Sequence, residues 1–226
     1  MLYLLVDFDG NVCDSAEGVL KSVEYALDKL GIDLGVPYSE LAVTFVGPPL
    51  SLPFGKIFNG DEEKVELAIK YFRDRYNTLG VYENALYEGV TDCMRKLSSE
   101  GIGIIIASSK PGNFIESILG RNNALDCFEA IFAPGLDGEK LTKLDIVKKA
   151  LDYVYSVDKY AEVYMVGDRK YDIEGAHLAG IPCIGVEWGY AHENELSDNG
   201  AEYIVNNVGE LYELAVALSH KGNTDE

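Results

Sequence analysis

The chain has 226 residues, of which 38 are Asp or Glu and 19 are Lys or Arg, so its formal net charge at pH 7 is −19. This charge argues against nucleic acid as a partner, since contacts with the phosphate backbone need clustered Lys and Arg side chains. The apolar runs are well short of the ~20 residues that a membrane-spanning helix needs, and no secretory signal is visible. Four widely spaced cysteines form no Cys-x-x-Cys pair, which disfavours zinc and a disulfide framework. We therefore expect a cytoplasmic protein without a membrane span.

The first apolar run is followed at once by two carboxylates. Residues Leu2 to Val6 are apolar without alternation, which is typical of a strand buried on both faces. Asp7 and Asp9 are two residues apart, so in an extended chain their side chains leave on one face and can converge on one cation. A site of oxygen ligands favours Mg²⁺. The alternative is an ordinary polar turn, since Asp and the following Gly10 are common turn residues.

The next part of the chain has helical patterns and interrupts the rhythm of strands. Residues 16–30 predict an amphipathic helix that ends at Gly31, and residues 62–76 predict a second helix. Between them, Gly47-Pro48-Pro49 predicts a turn. We therefore expect a core that is interrupted by a helical insertion: residues 1–15 and 83–226 for the core, and residues 16–82 for the insertion.

Two later apolar runs also end in polar loops. The runs and their loops are Gly103 to Ala107, followed by Ser108-Ser109-Lys110-Pro111, and Val163 to Val166, followed by Gly167-Asp168-Arg169-Lys170-Tyr171-Asp172. If a helix begins after Gly167, the i,i+4 spacing puts Asp168 and Asp172 on one face. Lys143 precedes another helical pattern and offers a cation, although lysine is most often solvent-exposed.

Further strands are predicted at residues 130–133, 181–186 and 203–205, each after a helical pattern. Strands that alternate with helices indicate a doubly wound parallel α/β sheet. In such sheets, ligands bind at the carboxyl ends of the strands, where the polar loops described above begin.

Four elements occur in a fixed order along the chain: an Asp-x-Asp-Gly loop at 7–10, Ser108 after a strand, Lys143, and a Gly-Asp-x-x-x-Asp loop at 167–172. Together they resemble the haloacid dehalogenase superfamily, over nearly the whole chain. Asp14-Ser15, the Gly-Pro-Pro turn and the loops after the strands look most like its phosphoglycolate phosphatase group, with 5'-nucleotidases similar. The resemblance implies a Rossmann-like core with a small α-helical cap inserted between the first and second catalytic loops.

The resemblance also implies a reaction, namely Mg²⁺-dependent hydrolysis of a phosphomonoester through an aspartyl-phosphate. Asp7 would be the nucleophile and Asp9 the general acid and base. Ser108 and the amide of Ser109 would hold the phosphoryl oxygens, while Lys143 would offset negative charge. The implied metal ligands are Asp7, Asp9 through its backbone carbonyl, Asp168 and Asp172, the last through a water molecule or by orienting other ligands.

The substrate is expected to be a small phosphorylated metabolite, with phosphoglycolate as the first choice and a nucleoside 5'-monophosphate as the alternative. A sugar-phosphate mutase and a non-catalytic binding module are further alternatives. Candidate substrate contacts are Gly10 and Asn11 in the first loop and Gly47 and Arg73 in the insertion. Arg73 could pair with a substrate carboxylate or second phosphate, or simply be solvated. Asn11 stands where the family generally has Thr. For the oligomeric state, we expect a monomer or a homodimer.

Overall fold

The computed structural model describes residues 1–37, 41–135 and 141–221. The chain divides into two compact units, one formed by residues 1–13 with 86–226 and the other by residues 14–85. The predicted insertion, residues 16–82, falls inside the second unit. Its action as a cap stays a prediction. No helix in the described ranges is long and apolar enough to cross a membrane.

The strands form one large and one small sheet. They are β1 (Leu2–Val6), β2 (Cys13–Asp14), β3 (Ala85–Leu86), β4 (Gly103–Ala107), β5 (Ala130–Phe132), β6 (Glu162–Gly167), β7 (Cys183–Val186) and β8 (Tyr203–Val205). Six of them pair in parallel in the order β5-β4-β1-β6-β7-β8, and β2 pairs with β3. This order confirms the doubly wound parallel sheet that the sequence predicts.

The helices are of two kinds, those that flank the large sheet and those of the second unit. They are α1 (Ala16–Lys29), α2 (Ala42–Phe45), α3 (Ser51–Ile57), α4 (Glu62–Tyr76), α5 (Val90–Ser99), α6 (Gly112–Arg121), α7 (Lys143–Val157), α8 (Lys170–Ala179), α9 (Glu195–Asp198) and α10 (Val208–Lys221). In the second unit, α1 packs against α4.

The register of the sheet brings three loops to one edge. All five residues of β1 are buried, because its neighbours β4 and β6 cover both of its sides and helices cover its faces. Val6 lies beside Ile106 of β4 and Val166 of β6. The chain order reverses at β1, and ligands of open α/β sheets bind at such a switch point.

Apolar side chains of α7 and α8 cover one face of this sheet. Ile146 and Val147 of α7 and Ile173 of α8 are fully buried in a cluster with Tyr3 and Leu5 of β1. This packing fixes the amino ends of both helices near the carboxyl ends of the strands. Those amino ends carry Lys143 and Asp172, two charged residues of the site described next.

Candidate active site

Asp7 is the first residue after β1, and its position is set by the sheet. Its amide donates a hydrogen bond to the carbonyl oxygen of Val166 at 2.9 Å, which continues the β1–β6 pairing by one residue. Asp7 is buried, with 7% of its surface exposed. The loop turns at Gly10, whose φ of +80° favours glycine. A Cβ at Gly10 would lie 2.1 Å from Oδ2 of Asp168, so only glycine fits there.

Asp168 lies between β6 and α8, and Asp172 lies in the first turn of α8. Both carboxylates are buried. The Asp168 carboxylate accepts hydrogen bonds from the amide of Tyr190 at 2.7 Å and from Nδ2 of Asn11 at 2.9 Å. Asp172 accepts from the amide of Arg169 at 3.1 Å and thereby caps the first turn of α8. Each carboxylate is therefore held by backbone of its own loop or of the next one.

Asp7, Asp168 and Asp172 form a cluster of three buried carboxylates. One oxygen of each lies within 4.8 Å of the oxygens of the other two. Like charges this close repel strongly in a buried site, so the cluster needs nearby positive charge.

Lys143 supplies one of those positive charges. Its Nζ lies 2.7 Å from Asp172 and 2.9 Å from Asp7, and it donates a hydrogen bond to the carbonyl oxygen of Ala107 at 2.9 Å. The contact with Asp7 is an ion pair without hydrogen-bond alignment. Only 8% of the side chain is exposed, so the alternative of a solvated surface lysine is wrong.

Two structural features direct Lys143 into the cluster. Thr142 and Asp145 form a capping box that starts α7 at Lys143. A Cβ at Gly175 of α8 would lie 2.8 Å from Cγ of Lys143, so glycine leaves the space that the lysine stem occupies. The first feature acts through hydrogen bonds and the second through the packing of α7 against α8, and both lie far from Asp7 in the sequence.

Asp9 lies outside the carboxylate cluster and pairs with a second lysine. Nζ of Lys110 donates to its two carboxylate oxygens at 2.9 and 3.2 Å. The Lys110 side chain is 4% exposed and the Asp9 side chain 18%. The predicted roles of Asp9, as general acid and base and as a metal ligand through its carbonyl, stay predictions.

The other predicted residues of the first unit are Ser108 and Ser109, which follow β4, and Asn11, which lies in the loop after β1. Ser108 is buried, and its Oγ accepts a hydrogen bond from the amide of Lys110 at 3.3 Å. Ser109 is exposed. The carbonyl oxygen of Asn11 accepts from Nε1 of Trp188 at 3.2 Å, so Asn11 joins two loops. Asparagine in place of the family's Thr thus supplies an amide donor to Asp168.

Gly47 and Arg73 belong to the second unit, and both are exposed there. Gly47 has a φ of +100° and follows α2, whereas Arg73 lies in the last turn of α4. Their role in substrate binding stays a prediction.

Residues 4–186 match the model of the haloacid dehalogenase-like hydrolase family, a range that contains all four elements of the site. The chain belongs to this family. The match confirms the resemblance stated from the motifs, and the chain is an enzyme of the family's phosphatase class.

Named relatives of this hydrolase chain differ in what they are called. It is 36% identical to the 5'-nucleotidase of Pseudomonas aeruginosa, over 85% of this chain and 86% of that one. It is 31% identical to tyrosine-protein kinase PtkA of Mycobacterium tuberculosis, over 95% of this chain and 72% of that one. A solved structure of a predicted phosphatase from Clostridium acetobutylicum is similar with a TM-score of 0.86 and 39% identity, over 96% and 98% of the two chains.

The residues of this family member fit a divalent cation. In their ionised forms, Asp7, Asp168 and Asp172 carry three negative charges against the positive charge of Lys143, a balance that one divalent cation would neutralise. The ligand atoms are carboxylate oxygens, which hard cations such as Mg²⁺ prefer. Oδ1 of Asn11 is buried without a hydrogen-bond partner among the described residues, and a metal-bound water would satisfy it.

The pKa shifts in the cluster have the directions expected for an anionic metal site. Burial raises the pKa of Asp168 well above its ordinary value, and the carboxylates of Asp172 and Asp7 raise it further. Burial also raises the pKa of Asp172, to about 6, against the opposing effect of Lys143. For Lys143, burial lowers the pKa, but Asp172 and Asp7 outweigh it and the net shift is upward. The lysine is therefore charged, and protons would compete with a metal ion for the carboxylate oxygens.

Sequence reasoning did not assign roles to several residues around this site. Lys110 was visible in the polar loop after β4, but only its contact with Asp9 reveals its charge pairing. Trp188, Tyr190 and Glu195 lie after β7 in a segment without any catalytic motif. Their contacts with the loops of Asn11 and Asp168 depend on the folded backbone.

We expect Asp168→Asn to stabilise the metal-free protein. The folded state raises the pKa of Asp168, so near neutral pH it bears either the repulsion of the ionised carboxylate or the free energy of taking up a proton. The amide keeps an oxygen for Tyr190, and its nitrogen replaces the oxygen that accepts from Nδ2 of Asn11. Rotation of the Asn11 amide by half a turn then presents Oδ1 of Asn11 to this nitrogen. In EDTA, the Tm should rise by about 2–4 °C, which is ~1 kcal/mol for a chain of this size.

Differential scanning calorimetry checks this expectation, with Asp152→Asn as the control because Asp152 is exposed on α7. Saturating Mg²⁺ should raise the Tm of the wild type but not that of Asp168→Asn. A lower Tm for Asp168→Asn in EDTA would show that the cluster is not strained.

Proposed function

We propose that the protein hydrolyses the phosphomonoester of a small organic molecule through an aspartyl-phosphate on Asp7. The observation that supports this most is the single ammonium group of Lys143 between Asp7 and Asp172, within a cluster of three buried carboxylates at strand ends. A nucleophile, a fixed cation and a set of oxygen ligands then meet at one place. Such a place suits the attack of a carboxylate on phosphorus.

In the first half-reaction, a carboxylate oxygen of Asp7 attacks phosphorus and the bond from phosphorus to the alcohol oxygen breaks. Asp9, whose carboxylate pairs with Lys110, takes up a proton before this step and gives it to the leaving oxygen, since an alkoxide is a poor leaving group. Asp7 attacks as its carboxylate and needs no activating base, unlike a serine or threonine hydroxyl. The products are the alcohol and the acyl phosphate of Asp7.

In the second half-reaction, water attacks phosphorus of the acyl phosphate and loses a proton to Asp9. The bond from phosphorus to Asp7 breaks, which restores the Asp7 carboxylate and releases inorganic phosphate. Asp9 thus returns to its protonated form, and the net reaction consumes one water.

The other residues would hold the phosphoryl group and balance its charge. Ser108 and the amide of Ser109 would donate to phosphoryl oxygens, and Lys143 would stabilise negative charge on Asp7 and on the transferred group. A cation held by Asp7, Asp168 and Asp172 would supply Lewis-acid stabilisation of the phosphoryl oxygens. We propose Mg²⁺ as that cation, because the donors are all oxygen.

For the substrate, we place nucleoside 5'-monophosphates ahead of phosphoglycolate. The loop motifs alone favour phosphoglycolate, but the relative from P. aeruginosa is named a 5'-nucleotidase and is 36% identical along most of both chains. In this proposal the second unit acts as a cap, and Gly47 and Arg73 contact the substrate. Its location would be the cytoplasm, where such metabolites occur.

Asp7→Asn should abolish turnover, because an amide is not a nucleophile toward phosphorus. The loss of kcat should be about 10⁴-fold or more, as for removal of other catalytic nucleophiles, with Asp152→Asn unchanged. In the wild type, borohydride reduction during turnover should convert the acyl phosphate at position 7 to homoserine, which peptide mass spectrometry detects. Substantial phosphate release by Asp7→Asn would exclude Asp7 as the nucleophile.

A substrate panel tests the second part of the proposal. Phosphate release with Mg²⁺ should show a kcat/KM for a nucleoside 5'-monophosphate at least about tenfold above that for phosphoglycolate, sugar phosphates and pyrophosphate, or about 1.4 kcal/mol of discrimination. A lead for phosphoglycolate would reverse our order. Transfer of phosphate to a sugar or tyrosine hydroxyl instead of water would contradict hydrolysis.

Lys110→Met should harm the acid step selectively, because Lys110 orients Asp9 and stabilises the carboxylate that forms as Asp9 loses its proton. We expect kcat for an alkyl phosphate to fall about tenfold or more, whereas p-nitrophenyl phosphate, whose leaving group needs no proton, should lose much less. Lys96→Met is the control, since Lys96 is exposed on α5. Equal losses for the two leaving groups would contradict a role of Lys110 through Asp9.

A further inference from the structure

Glu195 is a buried carboxylate outside the catalytic cluster, and it has three fixed donors. It accepts hydrogen bonds from Nε of Arg169 at 3.0 Å, from the amide of Lys170 at 2.9 Å and from the amide of His192 at 3.0 Å. The side chains of Glu195 and Arg169 are each 6% exposed. Burial raises the pKa of Glu195, but these three donors outweigh it and the net shift is downward. Glu195 is therefore a charged link between two loops.

One of these loops carries Asp168, and the other carries the amide that holds it. Arg169 and Lys170 directly follow Asp168, and His192 follows Tyr190 by two residues. The Tyr190 amide donates to Oδ2 of Asp168 at 2.7 Å. Glu195 thus holds the loops on both sides of this hydrogen bond. It holds the loop of the donor Tyr190 through His192 and the loop of the acceptor Asp168 through Arg169 and Lys170.

The same segment approaches the site at two more points. A Cβ at Gly189 would lie 2.4 Å from Cβ of Asp168, so the backbone here is in close contact with that side chain. Nε1 of Trp188 donates to the carbonyl oxygen of Asn11, whose amide donates to Asp168. The segment of residues 188–192 is therefore packed directly against Asp168 and its partner.

Asp168 needs such restraint more than an ordinary carboxylate. It is fully buried beside Asp7 and Asp172, and repulsion from both favours rotation of its side chain away from them. The donors that oppose this rotation are a backbone amide and Asn11. A backbone amide holds its direction only while its loop is fixed.

We infer that Glu195 is a positioning residue for Asp168 and that it acts by fixing residues 188–192 against the loop of Asp168. The inference rests on the proposed function in one respect, because it assumes that Asp168 binds Mg²⁺. Glu195 itself contacts none of the three clustered carboxylates in the contacts described above. Substitution of a residue that orients a metal ligand without itself contacting the metal commonly lowers metal affinity by about 10–100-fold.

The experiment measures the Mg²⁺ dissociation constant of the full chain by titration calorimetry and by fluorescence of Trp188, the single tryptophan. Glu195→Gln removes the charge and one of the two acceptor oxygens. Glu193→Gln is the matched control, because Glu193 is exposed two residues away and the change in net charge is the same. Circular dichroism and Tm are recorded for each variant, and kcat and KM are measured at saturating Mg²⁺.

We expect Glu195→Gln to raise the dissociation constant about tenfold or more and to shift the emission of Trp188. KM at saturating Mg²⁺ should stay within about twofold, and Glu193→Gln should match the wild type. If Glu195→Gln does not fold, Glu195→Asp replaces it, since it keeps the charge but cannot reach both loops. A dissociation constant above the wild-type value then supports the inference.

A wild-type dissociation constant in the folded Glu195 variant would overturn the inference and leave the proposed function intact. An equal loss in Glu193→Gln would also overturn it, because the effect would then be one of net charge. If the wild type itself binds no Mg²⁺, the proposed metal site fails and the inference fails with it.

Discussion

Three buried carboxylates that repel one another are the constraint on which the rest of this site depends. Asp7, Asp168 and Asp172 place their oxygens within 4.8 Å of each other. The repulsion energy of two like charges about 4 Å apart is about 4 kcal/mol at an effective dielectric constant of ~20. The fold must offset an energy of this order. Lys143 opposes part of it, and a divalent cation would oppose the remainder. A bound divalent cation would therefore stabilise the site.

The fold supplies this opposition through backbone and helix packing. The parallel register brings the ends of β1, β4 and β6 together, and the capping box at Thr142 starts α7 where Lys143 can reach Asp7 and Asp172. Gly10 leaves room for the Asp168 carboxylate. Repulsion among the carboxylates at the strand ends lowers the stability of the fold, and the apolar contacts of α7 and α8 with the sheet offset this loss.

The sequence predicts the parts of the site that local patterns determine. Asp7 and the loop at 167–172 each follow an apolar run, and a parallel sheet must bring such strand ends together. The i,i+4 spacing then predicts that Asp168 and Asp172 share one face. The three polar loops at strand ends and the family's order of motifs predict a role for Lys143, but its contacts arise from the packing of α7 and are not predictable from the sequence. The pairing of Lys110 with Asp9 and the link made by Glu195 were not predictable, because both depend on loop conformations that no periodicity encodes.

The most direct test of this account is calorimetric titration of the metal-free wild type with Mg²⁺, with Asp168→Asn measured in parallel. We expect one Mg²⁺ bound per chain, because one divalent cation balances the net charge of the three carboxylates and Lys143. We also expect that Asp168→Asn, although folded, loses this binding. Absence of binding in the wild type, or equal binding in both proteins, would contradict the claim that the buried cluster is a metal site.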